Sequence, residues 1–88
     1  MNLKDFESDW RNMGQLEYLY KKSFAFRRYS NNMKRTHEHC QFCWEKFSIF
    51  PDTLHAGYCT MDENEYWVCT NCFSDFKDIF EWEILMKK

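Results

Sequence analysis

The chain has one proline and two glycines in 88 residues, and no apolar run approaches a membrane span. So few breakers, in a chain whose aromatic share is 20%, exclude a disordered or low-complexity protein. No segment repeats itself. Met1 to Trp10 is charged and carries no apolar stretch, so no secretory leader is read there, and the expected location is cytoplasmic. A P-loop, a nucleophile elbow and a His-Glu-x-x-His pair are all missing, which leaves no motif-based case for catalysis. Strong basicity is missing as well: the pI is about 5.9, far from the footprint of a typical nucleic-acid binder.

What the chain does hold is cysteine in a pattern. Cys40-Gln41-Phe42-Cys43 and Cys69-Thr70-Asn71-Cys72 are two Cys-x-x-Cys pairs with 25 residues between them. Each tight turn can present two sulfurs to one ion, and four thiolates complete a tetrahedron. The candidate metal ligands are therefore Cys40, Cys43, Cys69 and Cys72, and the expected cofactor is one structural Zn2+. In a reducing compartment such pairs point to metal rather than to disulfides. A thioredoxin-type site needs one pair beside a βαβ pattern, not two flanking a hairpin. His37 and His39 stand next to the first pair, where one could replace a cysteine or support a thiolate from outside. Cys59 lies outside both pairs and reads as a small buried apolar residue, with a reactive thiol as the alternative. No role is read for His55.

Eighty-eight residues make one domain near the size at which an apolar core alone is marginal, and a structural metal is a common remedy. The order of elements is read from periodicity. Leu3, Phe6, Trp10 and Met13 share one face of a helix over 2–13, with Asn2 as its cap and Gly14 at its end. Alternation at Leu16, Tyr18 and Tyr20, and again at Phe24, Phe26 and Arg28, predicts a hairpin turning at 21–23, with a continued helix as the competitor. Residues 30–37 read as a basic linker. Trp44, Phe47 and Phe50 suit a helical turn closed by Pro51. Residues 57–60 and 65–69 read as a hairpin turning at 61–64. Phe73, Phe76, Phe80 and Ile84 form the stripe of a helix over 72–86, capped by Thr70 or Asn71, with Lys87 and Lys88 at its negative end.

This order of knuckle, hairpin and helix over 37–86 resembles the treble-clef class of zinc fingers, which is related to the zinc ribbons. The aromatic surround (Phe42, Trp44 and Phe47, then Tyr66, Trp67 and Phe73) is also similar to small uncharacterised bacterial zinc-finger proteins. The resemblance implies that Cys40 and Cys43 come from the knuckle and Cys69 and Cys72 from the hairpin end and the helix. The expected fold class is α+β: a small zinc-stabilised treble-clef-like domain with an N-terminal extension over 1–36 and the zinc module over 37–88. Cys59 and the first 36 residues depart from the class.

Charge divides the chain. Residues 1–36 carry eight Lys/Arg against four Asp/Glu, a net +4, and residues 37–88 carry four against ten, a net −6. A closed four-sulfur site leaves no coordination position for a catalytic water, so the expectation is a non-catalytic protein. The first functional expectation is a protein-protein interaction module, of an inhibitor, immunity or regulatory kind, whose acidic aromatic half meets a cationic partner. Trp82 projects from the other side of the 72–86 helix, where it is either covered by the N-terminal segment or exposed; exposed, with Glu81 and Asp78 beside it, it is the candidate anchor. The alternative is a nucleic-acid-binding zinc finger using Lys21, Lys22, Arg27, Arg28, Lys34 and Arg35 among Phe24, Phe26 and Tyr29. Neither a membrane nor a small-molecule substrate is expected.

Overall fold

Asn2 caps the first helix as its side chain allows: Oδ1 accepts from the Asp5 N–H at 2.9 Å. The helix is shorter than expected. A computed structural model describes residues 2–30 and 37–85, and in it α1 spans only Leu3–Glu7. Phe6 is buried, whereas Leu3, Trp10 and Met13 are exposed and do not extend the stripe. The reason is local competition. Asp9 accepts from the backbone N–H of Arg11 at 2.8 Å, which offers the chain a turn in place of a second helical repeat.

The predicted hairpin over 15–29 is replaced by a four-residue helix, α2 (Leu16–Leu19), followed by one long strand, β1 (Ser23–Arg28). Gln15 fixes the switch. It is buried, its amide donates to the carbonyls of Arg11 and Gln41 at 2.8 and 2.9 Å, and its Oε1 accepts from Met13 at 2.7 Å. With the chain pinned there, Leu19 alone of α2 reaches full burial.

The remaining elements are β2 (Glu38–His39), β3 (Lys46–Phe47), β4 (Ala56–Thr60), β5 (Trp67–Val68), α3 (Thr70–Phe80) and β6 (Glu83–Ile84). A four-stranded sheet runs β5-β4-β1-β6. Its β4 is antiparallel to both β1 and β5, while β6 is parallel to β1. A two-stranded sheet pairs β2 with β3. The expected helical turn at 44–50 is thus a strand end. Trp44 takes φ 68° and reverses the chain, so Glu45 returns its carbonyl to the Cys40 N–H at 2.8 Å, and only Phe47 of the three aromatics is buried. The β4–β5 hairpin forms where the sequence places it.

One face of the sheet carries α3. Tyr58 stacks on Phe73 with centroids 3.7 Å apart, and Phe24 meets Phe73 at 5.3 Å. Behind α3, Phe6 and Phe42 pack on Phe76 at 4.9 and 4.7 Å. The other face carries Trp67, flanked by Tyr29 and Phe47 at 5.3 and 5.1 Å. Gly57 is required there, since a Cβ would lie 2.6 Å from Cε1 of Phe47. Phe6, Leu19 and Phe24 share one buried cluster with Cys40, Phe73 and Trp82. The fold is α+β.

The last helix ends earlier than its stripe predicts. Glu81 takes the left-handed conformation at φ 54°. Its N–H donates to the Asp78 carbonyl at 3.3 Å, and the N–H of Trp82 donates to Lys77 at 3.1 Å. This is the paired bonding of a Schellman stop, made without glycine. Ile84 therefore belongs to β6, not to the helix. The cap is neither Thr70 nor Asn71 but Cys69, whose sulfur accepts from the Cys72 N–H. Lys87 and Lys88 lie outside the described residues.

Candidate metal centre

Two segments deliver the four cysteines, the turn after β2 and the junction of β5 with α3. Cys40 follows β2, Cys43 ends the tight turn after it, Cys69 follows β5, and Cys72 sits in the first turn of α3. Their sulfurs all lie within 4.8 Å of one another, and those of Cys43 and Cys69 are 3.6 Å apart. A tetrahedral ion with metal–sulfur bonds of about 2.3 Å sets sulfur–sulfur edges near 3.8 Å, so the cluster has the right scale. The four cysteines are positioned to hold a metal ion.

Backbone donors converge on the same sulfurs. Cys40 Sγ accepts from the N–H of Phe42 at 3.5 Å and of Cys69 at 3.3 Å; Cys69 Sγ accepts from Cys72 at 3.4 Å. Such bonds favour thiolate over thiol. Hydrogen bonds from the Cys69 and Cys72 thiols pull Cys40 well below the usual thiol range, and those same bonds to Cys40 hold Cys69 and Cys72 above it. Sulfurs this close share one negative charge readily, and all four ionise only around a cation.

A residue with no signal in the sequence completes the surround. Arg11 donates from Nη1 to Cys72 Sγ at 3.5 Å and to Asp75 at 3.0 Å, and its guanidinium lies 4.3 Å from the Phe76 ring centre. Asp9 grips it with two further bonds of 2.8 and 2.9 Å, and the Arg11 side chain in turn holds the Asp9 carboxyl down at about 2. The N-terminal segment is thereby tied to a sulfur of the centre. Sixty-one residues separate Arg11 from Cys72, so only the tertiary fold brings them together.

The histidines stand outside the sulfur cluster. The rings of His37 and His39 are 5.1 Å apart, His39 faces Trp44 at 6.4 Å, and His55 bonds the Phe50 carbonyl at 2.8 Å. Cys59 is fully buried on β4, and burial pushes its thiol up to about 11. Iodoacetamide at neutral pH is accordingly expected to leave Cys59 unmodified in the folded protein; mass mapping that finds rapid labelling there would show a reactive thiol instead.

Trp82 cannot serve as a surface anchor. It is 5% exposed, and its indole N–H donates to the Leu19 carbonyl at 2.7 Å. The helix stop at Glu81 turns it inward. Glu81 and Asp78 stay at the surface, and Glu81 is engaged by Tyr20 at 2.8 Å and Lys21 at 3.8 Å.

Three of the six basic residues are paired within the chain: Lys21 with Glu81, Lys22 with Asp62 at 3.0 Å, and Arg27 with Glu65 at 3.7 Å. Arg28 is exposed at the end of β1. Phe24 and Tyr29 are buried, so their faces are closed to stacking bases. Lys34 and Arg35 lie outside the described residues.

Compared with protein families, curated proteins and solved structures, the chain matches none. The functional reading therefore rests on its own residues. Among the described residues no helix is long and apolar enough to cross a membrane.

Proposed function

We propose that this chain is a non-catalytic protein-interaction module, built around one structural Zn2+ held by Cys40, Cys43, Cys69 and Cys72 in a treble-clef-like arrangement. The observation that carries the reading is the closure of the centre: four sulfurs within 4.8 Å of one another, three of them on buried residues. Four sulfur ligands suit zinc among the available ions, and they leave no open position for a water or a substrate. The ion's contribution is structural, joining the knuckle, the β4–β5 hairpin and α3. Cysteines committed to metal rather than to disulfides suit a reducing, cytoplasmic setting, and the role proposed there is inhibitor-like or regulatory. The intrachain ion pairs of Lys21, Lys22 and Arg27 weigh against nucleic acid as the partner.

The test is capture from the source lysate on zinc-loaded protein, with and without nuclease. Protein partners retained after nuclease treatment are the expected result. Material that is lost with the nucleic acid would return the basic segment to first place.

A further inference from the structure

The metal centre opens into a groove of about 450 Å³, lined by three of its own cysteines, Cys43, Cys69 and Cys72, and by Trp10, Glu45 and Leu54 among others. Resting on the interaction-module reading, we propose that this groove receives a lysine- or arginine-bearing segment of the protein partner. Two observations choose that occupant.

The first is Trp10. It is 68% exposed, more than any other large apolar side chain among the described residues. The residues on either side of it are held. The Asp9 N–H bonds Phe6 at 3.0 Å, and the neighbouring Arg11 is locked to Asp9, Asp75 and Cys72. A large ring left in water between two held residues offers its face to a cation, which aromatic rings attract through their quadrupole.

The second is charge. Arg11 is the groove's own cation, and it is satisfied by two carboxylates, Asp9 and Asp75. Glu45 adds another negative charge at the rim and is exposed. Cys43 is the one ligand of the four that is not buried, so the cluster meets solvent on this side. With a divalent ion bound, four thiolates leave the centre itself at −2. A side chain with a long apolar stem and a cationic head fits all of this: Leu54 beneath the stem, Trp10 against the head, Glu45 as counter-charge. A phosphate backbone meets repulsion at the same place.

The experiment titrates zinc-loaded protein with oligo-lysine and oligo-arginine peptides at low salt, following the Trp10 indole resonance and the backbone amide resonances of Arg11, Cys43 and Glu45 by NMR, the amides alone serving for variants that lack Trp10. Both cationic peptides are expected to shift these resonances, and oligo-glutamate is not. Trp10→Ala should weaken binding roughly fivefold to twentyfold, the range of a partly desolvated cation–π contact. Glu45→Lys should weaken it further, and added salt should weaken all of it. Both positions are exposed, so the variants are expected to fold, with unchanged near-UV circular dichroism as the check. Failure of either cationic peptide to bind at low salt would overturn the proposal. So would a stronger shift from a single-stranded oligonucleotide. Cationic peptides bound equally well by Trp10→Ala would remove this groove while leaving the interaction-module reading intact, which falls only if nuclease abolishes capture.

Discussion

Stripping the metal from the centre is expected to unfold the entire chain. Structural zinc contributes about 10–16 kcal/mol to small cysteine-ligated domains at neutral pH. A domain of this size holds a net stability of only about 5–15 kcal/mol. The loss cannot stay local here. The sulfurs follow β2, end the knuckle, follow β5 and open α3, and α3 carries Phe73, Phe76 and Phe80 into the shared core. Repulsion among sulfurs within 4.8 Å of one another must be relieved when the cation leaves, by protonation or by separation. Separation pulls α3 off the sheet. Adding a zinc chelator should therefore abolish the near-UV circular dichroism of the packed rings, and returning one equivalent of Zn2+ should restore it. Cys40→Ser should reproduce the chelated state, because Cys40 is buried and its sulfur also takes the N–H groups of Phe42 and Cys69. A chain that keeps its near-UV signal without metal would show that the aromatic core suffices alone, and the zinc reading would fail with it.

The parts legible in the sequence are those set by short-range chemistry. Two tight cysteine turns, a strand-turn-strand over 57–69 and a phenylalanine stripe at helical spacing each encode their structure within a few residues. What escaped depends on distant partners. Residues 16–20 satisfy a strand period and a helix period about equally, and the decision falls to Gln15, whose amide finds the Gln41 carbonyl 26 residues away. Trp44 carries no glycine-like signal for its positive φ; the knuckle imposes it so that Glu45 can bond Cys40. Glu81 hides the helix stop in the same way. A stripe extrapolated through it carries Ile84 along the helix and leaves Trp82 outside, whereas a left-handed residue at 81 sends Trp82 in. Of the candidate site, the four ligands were readable from spacing alone, and Arg11, 61 residues from Cys72, was not.

Trp82 then becomes a test of this packing. Its indole lies 4.7 Å from Phe24 on β1, 5.1 and 5.0 Å from Phe73 and Phe80 on α3, and 5.8 Å from Phe42 in the knuckle. Its N–H closes on the last residue of α2 at 2.7 Å. One side chain thus joins the N-terminal segment, the sheet, the helix and the metal knuckle. Trp82→Ala is expected to cost about 3–5 kcal/mol, the usual range for emptying a large aromatic site in a core. In a domain of this length each kcal/mol moves Tm by about 4–8 °C, so the midpoint of the zinc-loaded protein should fall by more than about 10 °C. Trp82→Phe separates shape from hydrogen bonding. It keeps most of the ring contacts and leaves the Leu19 carbonyl with only the long 3.4 Å bond from Lys22, at a cost of about 1–3 kcal/mol. The order alanine, phenylalanine, wild type in Tm, with partner capture by the folded fraction unchanged, is the expected outcome. A near-normal Tm combined with lost capture would instead put Trp82 at the partner surface, and would contradict both its burial and the helix stop that produces it.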